Sequence, residues 1–159
     1  MRREYGWSPR GKRVVGTRPC RSWKTISVIG AIRLGSKPLL MTHPGAVTGA
    51  VYLQFVRQRL VPWLRAGDVV VMDNLNMHKM RTVRDAIAAA GAVAVYLPTY
   101  SPELNPIELL WADLKRDLRK LALNHEAPLC RAVRRLGRRV PYQKIAGWFR
   151  HALEQARIN

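Results

Sequence analysis

Two short apolar runs, joined by a segment of helix-forming composition, limit the possible folds of this chain more than any other feature. The first run is Val69–Met72 and the second covers residues 92–97. Residues 79–90 between them favour a helix, and Gly91 is a natural helix terminator. An uninterrupted apolar run is typical of a strand that is covered on both faces. Strand, helix and strand in this order predict a parallel pair with a right-handed crossover, and therefore an α/β fold.

The rest of the chain adds a strand pair and four helices to this unit. Enrichment in β-branched residues predicts the strands, and apolar residues at helical spacing predict the helices. The predicted elements are an antiparallel pair at residues 23–32 and 38–42, a helix from the N-cap Thr48 to Pro62, a helix over residues 106–121, and two helices within 126–156 separated near Pro141. A length of 159 residues suits a single domain that spans the whole chain, 1–159.

The charge of the chain predicts a polyanionic partner. Lys and Arg number 28 against 10 Asp and Glu, which gives a formal net charge of +18 at pH 7. Cations that neutralise phosphates release condensed counterions, so nucleic acid is favoured. A membrane surface fits less well, because the basic residues are spread along the chain and no run reaches the roughly 18 apolar residues of a membrane span. Cys20 and Cys130 lie far apart without a zinc-ligand pattern, and a cytoplasmic location is expected.

Two carboxylates stand at the ends of predicted elements. Asp73 directly follows the first buried strand, at the edge where open α/β sheets place their ligands. Glu108 lies at the start of the 106–121 helix, and the 34 residues 74–107 separate the two. Each also has a local explanation. An Asp-Asn pair favours a turn, and Asn105 with Glu108 matches a capping box, in which the glutamate bonds back to the cap amide.

A strand end and a helix start that present carboxylates together suit magnesium. Mg²⁺ prefers hard oxygen ligands and usually keeps waters and phosphate oxygens as well. Two such ions about 4 Å apart would activate the attacking oxygen and stabilise the leaving oxygen at a phosphodiester. We therefore predict Asp73 and Glu108 as catalytic and metal ligands for Mg²⁺, with Mn²⁺ as an alternative. A third carboxylate is normally needed to hold both ions.

Several other residues are candidates for contact with DNA. His78 could approach the scissile phosphate, although a histidine at a helix start is an equally good interpretation. Trp7 and Tyr5 could contact bases or sugars, whereas Trp111 belongs to an apolar stripe and is expected in the core. The cationic stretch 131–139 suits either phosphate contact or a solvated helix face. The predicted DNA-binding residues are Arg10, Lys12, His78, Lys79, Lys115 and Arg119.

Three strings carry a family resemblance: Tyr5-Gly6-Trp7-Ser8-Pro9-Arg10-Gly11, then Val71-Met72-Asp73-Asn74 with His78-Lys79, and the Pro-rich string from Tyr96 to Glu108. They resemble the catalytic domain of mariner-like insertion-sequence transposases, which are DDE superfamily endonucleases. The resemblance implies a ribonuclease H-like mixed sheet flanked by helices, a two-ion magnesium site, cleavage of DNA at transposon ends and strand transfer. Asp73 matches the second catalytic aspartate of the family, and Glu108 matches its third acidic residue.

One part of the family pattern is missing from this sequence. The first catalytic aspartate of the family precedes the segment that Tyr5-Gly6-Trp7 resembles, and here no Asp precedes Tyr5. Glu4 is acidic but adjoins an Arg-rich segment rather than an apolar strand. The resemblance therefore implies a chain truncated at its N-terminus, without the first strand and without the helix-turn-helix region. We expect little activity from it alone. The alternative is a non-catalytic DNA-binding remnant, or a regulator that associates with intact transposase, and a homodimer is also possible.

Overall fold

The computed structural model describes residues 7–13, 25–121, 123 and 125–158. Its elements in chain order are β1 (Ile26–Ala31), β2 (Leu39–Pro44), α1 (Gly49–Phe55), β3 (Val69–Met72), α2 (Arg81–Ala89), β4 (Val93–Tyr96), α3 (Ile107–Leu121), α4 (Glu126–Arg139) and α5 (Tyr142–Ile158). A π-helical turn at Val56–Leu60 and a 3-10 turn at Val61–Trp63 extend α1. A second 3-10 turn, Pro102–Leu104, precedes α3. Among the described helices, none is long and apolar enough to cross a membrane.

The strands form two separate pairs. β1 and β2 are antiparallel, with Ala31 opposite Leu39 next to the turn. β3 and β4 are parallel, with Val69 opposite Val93. Within the described ranges each pair is a sheet of its own. The predicted antiparallel pair and the predicted strand–helix–strand unit are therefore both confirmed, with ends that differ by a few residues.

The prediction that the β3 strand is covered on both faces is wrong. Side chains alternate between the faces of a strand, and Val69 and Val93 are 61% and 60% exposed on the outer face. Val70 and Ala94 point the other way and pack into the core. An apolar run gives the hydrophobicity of both faces but not the number of layers packed on them, so the sequence did not distinguish these cases.

Two hydrophobic clusters contain most of the buried apolar residues in the described part of the chain. The first is centred on α1, β3 and α2, and its buried members include Phe55, Met72 and Ile87. The second joins α3 to α5 and includes Leu110 and Ile145. Both arms of the β1–β2 hairpin contribute to each cluster. The hairpin residues that pack against the first cluster include Ala31 and Leu39, and those that pack against the second are Ile32 and Leu40. The hairpin therefore packs against both clusters and links them.

Glycine allows α3 to lie close to this hairpin. A Cβ added to Gly30 would lie 2.8 Å from the Leu39 carbonyl oxygen and 3.0 Å from the Trp111 ring. Trp111 is partly buried against the second cluster, as its apolar stripe predicts. The small residue in β1 thus lets the indole reach the sheet.

An ion pair connects the hairpin to the start of β3. The Arg33 Nη2 atom donates to both carboxylate oxygens of Asp68, at 2.7 and 2.8 Å, and its Nη1 atom donates to the Trp63 carbonyl at 2.6 Å. Both charged side chains are largely shielded from solvent. A two-pronged contact of this kind restricts the position of β3, and therefore of the residue that follows it.

Candidate metal and nucleic-acid site

Asp73 lies at the edge where the parallel strands β3 and β4 both end. The ladder continues one step beyond the strands, because the Leu97 amide donates to the Met72 carbonyl at 2.8 Å. Beyond it, the Asn74 side-chain amide donates to the Thr99 hydroxyl at 3.1 Å. Asp73 therefore follows its strand at the carboxyl edge of the sheet, as predicted, and polar contacts hold the two outgoing segments together.

The two oxygens of the Asp73 carboxylate have different surroundings. Oδ1 has almost no solvent contact and makes no hydrogen bond of good geometry within the described residues. Its charged neighbour is the Nδ1 atom of His78, an ion pair whenever the imidazole is protonated. The side chain as a whole is nevertheless 47% exposed, so its exposure lies on the Oδ2 side. One oxygen is thus held against His78 while the other faces solvent.

His78 is held in place from three directions. Its ring lies 4.5 Å from the Tyr52 ring, centroid to centroid. The Tyr96 hydroxyl donates to its carbonyl at 3.1 Å, and its own amide donates to the Leu75 carbonyl at 3.0 Å. It lies in the turn between Asp73 and α2 rather than at the start of the helix. Its Nδ1 atom contacts the Asp73 carboxylate and restricts the orientation of that side chain.

Tyr52 and Tyr96, which support this histidine, were not identified from the sequence as part of the site. Tyr52 occupies an apolar position on a helix, and that spacing predicts only burial. Its hydroxyl contacts the Met72 sulfur at 3.3 Å. Burial, and to a smaller extent the negative charges of Asp73 and of ionised Tyr96, raise the pKa of Tyr52 well above its ordinary value.

The raised pKa of Tyr52 predicts a loss of stability at alkaline pH. Tyrosine in the unfolded chain ionises near pH 10, whereas folded Tyr52 keeps its proton. Its contribution to stability is therefore complete below about pH 10 and decreases as pH rises further. Tyr52→Phe should flatten this decrease, as measured by urea unfolding from about pH 8 to about pH 11. Tyr100→Phe, at an exposed position, is the control. Equal pH profiles for Tyr52→Phe and the unsubstituted chain would contradict the assignment.

Glu108 lies in the first turn of α3 and is exposed. Asn105 caps this helix, because its carbonyl accepts from the Glu108 amide at 3.1 Å and its side chain accepts from the Ile107 amide at 3.4 Å. The return bond of a capping box is absent: the Glu108 carboxylate makes no hydrogen bond or ion pair to any other described residue. The local explanation of Glu108 therefore accounts for the cap but not for its carboxylate.

The segment that leaves the same sheet edge after β4 leads to α3, which carries the second carboxylate, Glu108. β4 ends at Tyr96, and the segment 97–106 contains the 3-10 turn Pro102–Leu104 before α3 begins at Ile107. Magnesium prefers carboxylate oxygens as ligands, so Asp73 and Glu108 carry the right type of ligand atom for this ion. A site for two ions normally needs a third carboxylate, and the described residues contain no group of three His, Cys, Asp or Glu side chains arranged to hold a metal.

The predicted DNA-binding residues lie in several parts of the fold. Five of them are exposed, namely Arg10, Lys12, Lys79, Lys115 and Arg119. The sixth, His78, is mostly buried against Asp73. Trp7 is fully exposed, whereas Tyr5, Glu4 and Cys20 lie outside the described residues. Lys115 and Arg119 follow Glu108 on α3, so cations and the carboxylate occupy one side of that helix.

Comparisons with known proteins identify the family. A family model described as DDE superfamily endonuclease matches residues 1–127. No curated protein sequence matches the chain. Among solved structures, the Mos1 strand transfer complex aligns with a TM-score of 0.70 at 18% identity, over 97% of this chain and 46% of that one. The Mos1 mariner paired end complex with Mn aligns at 0.67 and 19%, over 97% and 47%.

The isolated catalytic domain of Mos1 mariner transposase also matches, with a TM-score of 0.54 at 16% identity over 82% of this chain and 75% of that one. At these identities the likeness concerns the fold, which is a ribonuclease H-like arrangement of mixed strands and helices, as predicted. The chain spans about half the length of the first two Mos1 chains. Because the family model covers most of the sequence, the chain belongs to the DDE superfamily endonucleases.

Proposed function

We propose that the chain is the catalytic domain of a transposase, which cuts and joins DNA at transposon ends with a divalent metal. The observation that supports this most directly is the Asp73 carboxylate, with one oxygen held by His78 and the other open to solvent at the sheet edge. The related Mos1 protein has been solved as a strand transfer complex, as a paired end complex with Mn and, for its catalytic domain, with Mg. Transposon-end DNA and Mg²⁺ or Mn²⁺ are the corresponding partners proposed here.

In this proposal Asp73 and Glu108 are the metal ligands. When bound, magnesium supplies positive charge that stabilises the phosphodiester as its oxygens gain negative charge. His78 keeps the Asp73 carboxylate in one orientation, so that Oδ2 faces the substrate side. Lys79, Lys115 and Arg119 would contact DNA phosphates, which fixes the position of the strand without reading its sequence. Arg10 and Lys12 are proposed for the same role.

Metal binding provides a test that does not require catalytic turnover. We expect Asp73→Asn and Glu108→Gln each to lower the affinity for Mn²⁺ at least about tenfold, because each removes one anionic oxygen ligand. Free Mn²⁺ is measured by electron paramagnetic resonance during titration of the full chain. Glu103→Gln is the matched control, since Glu103 is an exposed carboxylate in the turn just before α3. Unchanged affinity in both site variants, or an equal loss in the control, would contradict the assignment.

Strand cleavage by this chain alone should be weak. An in-line displacement with two ions normally needs three carboxylates, and the described residues contain no group of three possible metal ligands. Mn²⁺-dependent nicking of duplex DNA should therefore lie close to that of the Asp73→Asn variant. Rapid nicking that Asp73→Asn abolishes would show a complete site and contradict this expectation.

A second candidate function is a non-catalytic DNA-binding module, or a regulator that associates with intact transposase. The +18 charge favours it, as does the lack of any group of three possible metal ligands among the described residues. The two candidates differ in a measurable way, because binding alone survives Asp73→Asn and weakens steeply with salt. Self-association as a homodimer and a cytoplasmic location remain predictions.

A further inference from the structure

Helix α4 carries five arginines on one face. They are Arg131, Arg134, Arg135, Arg138 and Arg139. The spacing of i, i+3, i+4, i+7 and i+8 places them within one stripe, because residues three and four apart are neighbours on a helix. All five are exposed, and together they line a shallow depression of the surface. We call this set the arginine stripe.

The opposite face of α4 fixes the direction of the stripe. Ala132, Val133 and Gly137 are buried there. The approach at Gly137 is close, since an added Cβ would lie 2.5 Å from the Leu40 Cδ1 atom of β2. With this face packed against the hairpin, α4 cannot rotate, and the arginines must point to solvent.

The arginine stripe has no acidic partners within the described part of the chain, and α3 provides the contrast. On α3, Arg116 contacts Asp113 at 2.7 Å and Lys120 contacts Asp117 at 3.4 Å, so these two cations are neutralised locally. No stripe arginine takes part in an ion pair to a described residue. Like charges at i, i+4 destabilise a helix, so an anionic partner that neutralises the stripe would relieve this repulsion.

We propose that the arginine stripe binds the sugar-phosphate backbone of DNA, as a contact surface separate from the carboxylate site. Arginine presents a planar fork of donors that matches phosphate oxygens. Nine residues of helix extend about 12 Å, and one strand of a duplex presents a phosphate about every 3.4 Å of axis, so the stripe can meet about three phosphates. The stripe also lies beyond residues 1–127, which the family model matches.

A membrane surface is the less suitable anion. Interfacial helices bury an apolar face between lipids beside their cationic face. The apolar face of α4 is already buried inside the protein, where Val133 and Gly137 are packed. The stripe offers charge alone, which suits the dense and regular phosphates of a nucleic acid.

The salt dependence of DNA binding tests this proposal. Arg134→Gln with Arg138→Gln should reduce the slope of log affinity against log salt by about 1.8, because each phosphate that is no longer neutralised lowers the slope by about 0.9. When the salt concentration rises fourfold, the affinity of both proteins falls. The fold loss in the variant should be about ten times smaller than the fold loss in the unsubstituted chain. Arg134→Lys with Arg138→Lys should keep the slope, because the charges remain. Binding of the full chain to a random-sequence duplex is followed by fluorescence anisotropy in EDTA.

The charge control is Arg57→Gln with Arg59→Gln, which removes two exposed cations from the turn after α1. An unchanged slope in the stripe variant, or an equal change in this control, would overturn the proposal. So would stripe-dependent binding to phosphatidylserine vesicles combined with an unchanged DNA slope. Arg131→Gln with Arg135→Gln serves as a second pair if the first does not fold. Because EDTA removes divalent ions, failure here leaves the Mn²⁺ test of Asp73 and Glu108 unaffected.

Discussion

Replacing Phe55 with alanine should lower the free energy of unfolding by about 3–5 kcal/mol. Phe55 is 1% exposed at the end of α1 and is among the largest fully buried side chains. The substitution loses the favourable free energy of burying an aromatic ring, and it leaves a cavity in which the neighbouring side chains lose packing contacts. The Phe55 ring lies 6.2 Å from that of Tyr52, whose ring in turn contacts that of His78 at a tilted angle. The substitution should therefore also loosen the support of the Asp73 carboxylate.

Urea unfolding followed by circular dichroism measures this effect. Gln54→Ala provides the control, because Gln54 is the neighbouring residue on the same helix and is exposed. The control should change the stability little, as surface substitutions usually do. A destabilisation by Phe55→Ala no larger than that by the control would mean that this side chain is not packed as described. A lower Mn²⁺ affinity in Phe55→Ala under folding conditions would support the connection to the site.

Replacing Leu110 with alanine should lower the free energy of unfolding by about 2–5 kcal/mol. Leu110 is fully buried in the second cluster, where α3 packs against Ile145 and Trp148 of α5. It lies two positions after Glu108, so the same packing that stabilises α3 also fixes the start of that helix. Lys115→Ala, at an exposed position of α3, is the control for helix propensity. A stability equal to that of the control would contradict the assignment of Leu110 to the core.

Together the two substitutions test whether the chain is one domain. Phe55 belongs to the first cluster and Leu110 to the second, and the β1–β2 hairpin contributes to both. If residues 1–159 form a single cooperative unit, each variant should show one unfolding transition that shifts as a whole. Two separate transitions, with each substitution affecting only one, would contradict the single-domain prediction.

Much of the fold could be predicted because it depends on local chemistry. The helix predicted over residues 79–90 is observed as α2, Arg81–Ala89, and Gly91 follows it with a positive φ of 73°. Thr48 caps α1 by accepting a hydrogen bond from the Val51 amide. Capping, turn formation and apolar periodicity involve residues within a few positions of one another, so sequence contains nearly all the information that determines them.

The family and the two carboxylates could also be predicted, but their surroundings could not. The distinctive string from Tyr96 to Glu108 identified the DDE superfamily, and the end of the apolar run predicted that Asp73 follows a strand. The contact of His78 with Asp73 lies within one turn, but the tilted ring contact between His78 and Tyr52 joins that turn to α1. Contacts between elements depend on how helices and strands pack, and a single sequence does not contain that distance information.

The exposure of side chains also depends partly on local geometry and partly on long-range packing. Helix geometry places the five arginines on one face of α4, and strand geometry places successive residues of β3 and β4 on alternate faces. Whether a face meets solvent or another layer depends on the rest of the fold. Packing of Gly137 against Leu40 exposes the arginines, and the outer faces of Val69 and Val93 remain uncovered in the described structure. Local geometry therefore specified which residues share a surface, and long-range packing specified what that surface contacts.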